Sequence, residues 1–111
     1  MKAKPYKWDG KAEWTPCEPQ EATHISIFLP CGCQHLMLPV QTSGTRAGTG
    51  NWTWNGDTEK PTIKPSVSTT GHDFKCHTWI NDGAMQFLTD TTGRGHEGLG
   101  GTVQPLREVE T

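Results

Sequence analysis

The chain has 111 residues, a formal charge of −2 and an apolar fraction of only 32%. That length suits one domain and excludes two. No apolar run approaches the roughly 20 residues that span a bilayer. Lys and Arg alternate with Asp and Glu, without the cluster that duplex nucleic acid requires.

The 13 glycines and 8 prolines imply long loops, and the five tryptophans must supply part of the core. Such a small core gains from a cross-link or a metal. The basic start, Met1 to Pro5, is followed by no apolar segment, so no signal peptide is expected and a cytoplasmic location follows. In that reducing setting the four cysteines read as metal ligands rather than as disulfides.

Residues 1–22 are polar and interrupted by Pro5, Pro16 and Pro19, and they read as an irregular N-terminal arm bearing Trp8, Trp14 and Cys17, which reads as a free thiol with a remote ligand role as the alternative. Residues 23–111 read as a single β-rich metal-binding domain. Thr23 to Leu29 alternates as a strand, with Ile25, Ile27 and Leu29 on one face. Pro30 to His35 is a turn, and Leu36 to Val40 returns, with Pro39 suggesting an edge position or an early end.

Thr42 to Asn51 is a Gly/Ser/Thr-rich loop, and Trp52-Thr53-Trp54 is a short strand before an Asn-Gly-Asp turn. The prolines at 61 and 65 hold Lys60 to Ser68 extended. Phe74 to Leu88 is a β-hairpin around Asn81-Asp82-Gly83, a composition that supplies positive φ angles. A glycine-dense stretch from Asp90 to Gly101 precedes a last strand near Thr102 to Leu106. Helical periodicity with caps is absent. The expected fold is all-β or nearly so: a compact, zinc-stabilised domain of short antiparallel strands, hairpins and long loops.

Structural zinc takes four Cys or His ligands, usually as close pairs from separate turns. Cys31-Gly32-Cys33 is one such pair, and Cys76 would add a third thiolate. His96 is the expected fourth ligand, with His77 the alternative and His35 also near the pair. Thiolates favour Zn2+ over cations that prefer oxygen. On a strand, Cys76 and His77 point to opposite faces, so a regular strand allows only one of them to reach a given ion.

Trp54-Asn55-Gly56-Asp57, Pro61-Thr62, Pro65-Ser66, Cys76-His77, Asp82-Gly83, Phe87-Leu88, Asp90, His96 and Gly100-Gly101-Thr102-Val103 follow one another in an order that resembles a known family. Its members are small domains of unknown function in phages and bacteria, often labelled ammonia monooxygenase. Some sit beside bacterial ubiquitin-like conjugation genes, where they are regarded as peptidases.

The resemblance runs from about Ile25 to Leu106. It implies that Cys31, Cys33, Cys76, His77 and His96 are the family's Cys/His positions. One departure stands out: where the family commonly carries Asp-Cys-Thr-His, this chain reads Asp90-Thr91-Thr92-Gly93-Arg94-Gly95-His96. The monooxygenase label finds no support in a chain without a membrane span or a redox copper motif.

Three enzyme readings follow. A catalytic zinc would need an open position and a base, for which Asp57, Asp82, Asp90 and Glu97 are candidates, the first two also explained as turn residues. Alternatively, Ser66 could be activated by His77 or His96 with an aspartate orienting the imidazole, giving Ser66, His77 and Asp90 as a catalytic set. The bland reading of Ser66 is a hydroxyl capping an extended segment, and the peptidase role implied by the resemblance keeps it in play. A Cys76 nucleophile paired with His77 conflicts with Cys76 as a ligand.

The functional expectation is a zinc-binding protein of phage or bacterial type that binds or processes another protein. Its concrete enzyme form is a peptidase acting on a ubiquitin-like tail. The rival is a non-catalytic structural-zinc module, such as a phage regulator of a host protein, using Trp52, Trp54 or Trp79 as contact surface. Either way the partner is a protein or peptide in the cytoplasm, that of the host if the chain is phage-encoded.

Overall fold

The computed structural model describes residues 1–31, 35–42 and 52–109. Among these, ten strands form one sheet, and the only helical turn is the short 3-10 segment Pro19–Glu21. The strands are β1 (Lys4–Trp8), β2 (Trp14–Pro16), β3 (His24–Phe28), β4 (His35–Thr42), β5 (Trp52–Trp54), β6 (Ile63–Thr70), β7 (Phe74–Asn81), β8 (Ala84–Phe87), β9 (Thr92–Gly93) and β10 (Val103–Pro105). Their order across the sheet is β10-β8-β7-β6-β5-β4-β3-β1-β2, with β9 pairing β7 beyond the end of β8. No helix among the described residues is long and apolar enough to cross a membrane.

The predominantly β fold is as the sequence predicts, with three differences in detail. Residues 1–22, expected to be irregular, hold β1 and β2, and β1 pairs with β3 in the main sheet. The turn between β1 and β2 forms because the Asp9 carboxylate accepts from the backbone N–H groups of Lys11, Ala12 and Glu13 at 2.7, 3.0 and 3.1 Å. Second, β4 and β5 run parallel, with Val40 opposite Trp52, in a sheet otherwise antiparallel.

Third, Pro39 lies inside β4 rather than at an edge, opposite His24 on β3. It falls one residue before β4 takes up its pairing with β5. A missing N–H is tolerated there because the strand is changing partners.

The inward side chains of β3, β4, β6, β7 and β8 make one core, including Ile25, Ile27, Val40, Ile63, Ile80 and Phe87. Trp54, fully buried, is its largest member, with its indole N–H donating to the Asp57 carbonyl at 3.3 Å. Burying an indole of about 200 Å2 contributes roughly 5 kcal/mol before entropy is charged against it. After β10 the chain closes the sheet upon this core. Leu106 donates to the Gly83 carbonyl, Arg107 to that of Phe28 and Val109 to that of Met1.

The β7–β8 hairpin is the one the sequence predicts. Asp82 (φ 51°) and Gly83 (φ 81°) fill its two-residue turn, and two positive φ angles in succession match the right-handed twist of the strands. Gly93 (φ 100°) is also tightly constrained, because a Cβ there would lie 2.3 Å from the Asp73 carbonyl oxygen and 2.5 Å from the Phe74 Cα. Gly93→Ala therefore combines an unfavourable φ with a backbone clash. It should lower unfolding free energy by about 2 kcal/mol in urea titration; an unchanged midpoint would show that β9 does not need this geometry.

Candidate active site and metal cluster

Alternation along β7 divides the functional residues between two faces. Cys76, Thr78 and Ile80 are buried, whereas Lys75, His77 and Trp79 lie on the outer face. On β6 the outward residues opposite them are Ser66, Ser68 and Thr70, with Ser68 directly across from His77 and Thr70 from Lys75. It is Ser66, however, that His77 engages.

The register between β6 and β7 shifts between the pairs Ile63–Ile80 and Val67–Thr78, so three residues of β6 stand against one of β7. Such irregularities bend a strand and re-aim its side chains. Here the Ser66 hydroxyl lies 3.0 Å from His77 Nε2. The Trp52 indole N–H donates to the Ser66 carbonyl at 3.3 Å and steadies the same residue from β5.

The other imidazole nitrogen is held by Asp90. His77 Nδ1 lies 3.1 and 3.0 Å from the two Asp90 carboxylate oxygens. That carboxylate also accepts from Lys75 Nζ at 2.9 Å. The ammonium beside it, and then the imidazole, hold the Asp90 carboxyl below the usual carboxylate range. Both Lys75 and Asp90 are nearly half exposed, so the pair contributes orientation more than stability.

Asp90 reaches this position through a tight turn between β8 and β9, closed by the Thr91 N–H donating to the Leu88 carbonyl at 2.9 Å. Leu88 in turn donates to the His77 carbonyl at 2.8 Å. Thr91 completes the clamp: its hydroxyl accepts from the His77 N–H at 3.1 Å and donates to the His77 carbonyl at 3.0 Å. Neither Thr91 nor Lys75 is marked as functional by the sequence alone. The i, i+2 spacing of Lys75 and His77 on one strand was the available signal for Lys75.

On the inner side, Cys31, Cys76 and His96 bring their ligand atoms within 4.8 Å of one another, a group that could hold a metal ion. His96 is only 1% exposed, although its glycine-dense loop suggests mobility. Its ring stacks on Phe74 with centroids 4.9 Å apart. Nδ1 donates to the Arg94 carbonyl at 3.0 Å, which leaves Nε2 as the lone-pair nitrogen. That nitrogen is buried and has no hydrogen-bond partner among the described residues. A backbone-bound Nδ1 with an unsatisfied Nε2 is the tautomer a metal-ligating histidine needs.

Cys33 lies outside the described residues. His77, the alternative fourth ligand, does not join the cluster: it points to the opposite face, with both nitrogens engaged by Ser66 and Asp90. His35 bonds Ser26 and packs edge-on against Phe28 instead.

The remaining acidic candidates are explained locally. The Asp57 carboxylate accepts from the N–H groups of Glu59 and Lys60, Asp82 occupies the hairpin turn, and Glu97 accepts from Gly95 N–H. Cys17 is half-buried near Pro5 and Pro16, with its thiol pushed up by burial and by Glu21, and is not part of the cluster.

The family model described as bacterial ubiquitination-like system serine protease (BubE) matches residues 5–88. The chain belongs to this family. The match spans Ser66 and His77 and stops two residues short of Asp90. No curated protein and no solved structure matches the chain. Family membership accords with the resemblance to domains beside ubiquitin-like conjugation genes.

The Thr91 clamp is open to a direct test. Thr91→Val removes both hydroxyl bonds to the His77 backbone and should cost about 1–2 kcal/mol of stability. Urea denaturation measures the loss, and Thr91→Ser should recover most of it.

Proposed function

We propose that the chain is a serine peptidase that cleaves polypeptide in a bacterial ubiquitin-like conjugation system, with a ubiquitin-like tail as the concrete substrate. Ser66 is the nucleophile, His77 the general base and Asp90 the orienting carboxylate. The observation that carries this reading is the hydrogen-bonded run from the Ser66 hydroxyl through both nitrogens of His77 to Asp90. Serine, histidine and acid in that order form the arrangement that makes a serine hydroxyl nucleophilic at neutral pH.

In the reaction, His77 Nε2 takes the Ser66 proton as Oγ attacks the scissile carbonyl, then returns a proton to the leaving amine. Asp90 fixes the tautomer with the proton on Nδ1 and stabilises the imidazolium that forms. Lys75 keeps Asp90 ionised and pointed at the ring. Thr91 and Leu88 hold the His77 backbone, so the ring has little freedom to drift from Ser66.

The Cys31–Cys76–His96 group serves the fold. Two thiolates and an imidazole with an unsatisfied nitrogen suit Zn2+, and Cys33 is the natural further ligand by sequence. Bound there, zinc would cross-link β7 to the turn after β3 and to the loop between β9 and β10 that carries His96. Native mass spectrometry of protein purified without chelator should show one zinc per chain, absent from His96→Ala; metal-free wild-type protein would refute this ligand set.

Ser66→Ala should abolish labelling by a fluorophosphonate and lower peptide hydrolysis by roughly six orders of magnitude, with the fold intact by circular dichroism. Ser68→Ala, altering the serine directly opposite His77, should keep labelling. Loss of labelling in Ser68→Ala alone would move the nucleophile to the other serine.

A further inference from the structure

Two of the exposed large apolar side chains lie in one line with the proposed nucleophile. Trp79 is 39% exposed and Val103 63%. Trp79 on β7 pairs with Gln86 on β8, and Gln86 pairs with Val103 on β10. Directly paired residues point to the same face of a sheet, and Trp79 is two residues beyond His77 on β7, so this row lies on the catalytic face. One step along β6 from the Val67–Thr78 pair, Ser66 stands at the head of the row.

An open depression of about 340 Å3 runs alongside, lined by Ile63, Lys64, Trp79, Ile80, Asn81 and Gln86. Its lining holds one cation, Lys64, and no carboxylate. Gln86 between the two apolar residues offers both a donor and an acceptor to a peptide backbone. Neighbouring strands are about 4.8 Å apart, so the three steps from β6 to β10 cover about 14 Å. That is the length of about four residues of extended polypeptide.

We propose that this row is the substrate track. It rests on Ser66 acting as nucleophile, and it adds what that reading leaves open, the shape and chemistry of the bound segment. An extended, unfolded stretch of polypeptide crosses β7, β8 and β10, with the residue next to the scissile bond against Trp79. An apolar side chain about four residues away covers Val103. Lys64 beside the cut disfavours lysine or arginine there and accommodates an acidic residue or a neutral one. The track begins at the nucleophile and ends at the sheet edge, which fits a protruding tail better than a folded surface.

The test is digestion of a synthetic peptide library by the full chain, with cut positions read by mass spectrometry and fluorophosphonate labelling run in parallel. The wild-type chain should enrich apolar residues about four positions from the cut. Val103→Ser should erase that enrichment. Trp79→Ala should raise KM on the preferred peptide by about tenfold with a smaller change in kcat. Both variants should label with the fluorophosphonate at the wild-type rate, because neither side chain belongs to the catalytic set.

An unchanged cut profile and KM in both variants would overturn the track, as would an undigested library with a labelled Ser66. Absence of wild-type labelling would instead overturn the serine reading on which the track rests.

Discussion

The strict two-residue alternation of a β-strand governs this molecule, and β7 is where it matters most. Every second side chain of β7 enters the core, and every other one leaves it. Cys76 therefore meets Cys31 and His96 inside, while its neighbour His77 meets Ser66 and Asp90 outside. A single-residue slip of β7 would put the imidazole in the core and the thiol in solvent, disabling both assemblies together. The register has several independent supports: the positive-φ turn at Asp82-Gly83, pairing to β6, and the Thr91 clamp on the His77 backbone.

Around this constraint, the outer assembly is built from departures from regular sheet. The register shift in β6 lets Ser66, rather than the directly facing Ser68, reach the imidazole. The tight turn between β8 and β9 interrupts pairing along β7 at the level of His77 and projects Asp90 outward. Regular ladders on either side hold these irregular pieces in place, so little of the geometry depends on unsupported loops. The same connection from β8 to β10 also contains His96, which ties the acidic member of the outer set to the inner cluster within one short stretch of chain.

Much of this was legible in the sequence because it is local. The Asn-Asp-Gly turn announces the hairpin, and alternation on β7 separates Cys76 from His77 without any coordinates. Pro65-Ser66 marked an extended segment, and a family resemblance kept its serine in view. What could not be read depends on pairing between distant segments. The register shift between β6 and β7, the parallel contact of β4 with β5 and the joining of β1 to β3 are set by which strands meet. Thr91 acts through its backbone partner, and Lys75 matters because Asp90 arrives beside it from another strand. In the N-terminal segment, three prolines obscured a strand pair whose turn is made by one aspartate side chain.

The position of β6 and β7 has a further consequence for molecular recognition. Both strands are flanked on each side by other strands, so the residue that would perform the attack sits in the interior of the sheet rather than on its rim. Proteins that capture peptides by strand addition use a free rim, where unpaired backbone groups supply affinity without regard to side chains. Ser66 itself falls in the irregular stretch, but the backbone around it is committed to ladders, Val67 to Thr70 pairing with β7 and Thr78 to Asn81 pairing with β8. Selection must then fall chiefly on side-chain contacts across the sheet face, and inhibitors that mimic only a peptide main chain would gain little purchase there.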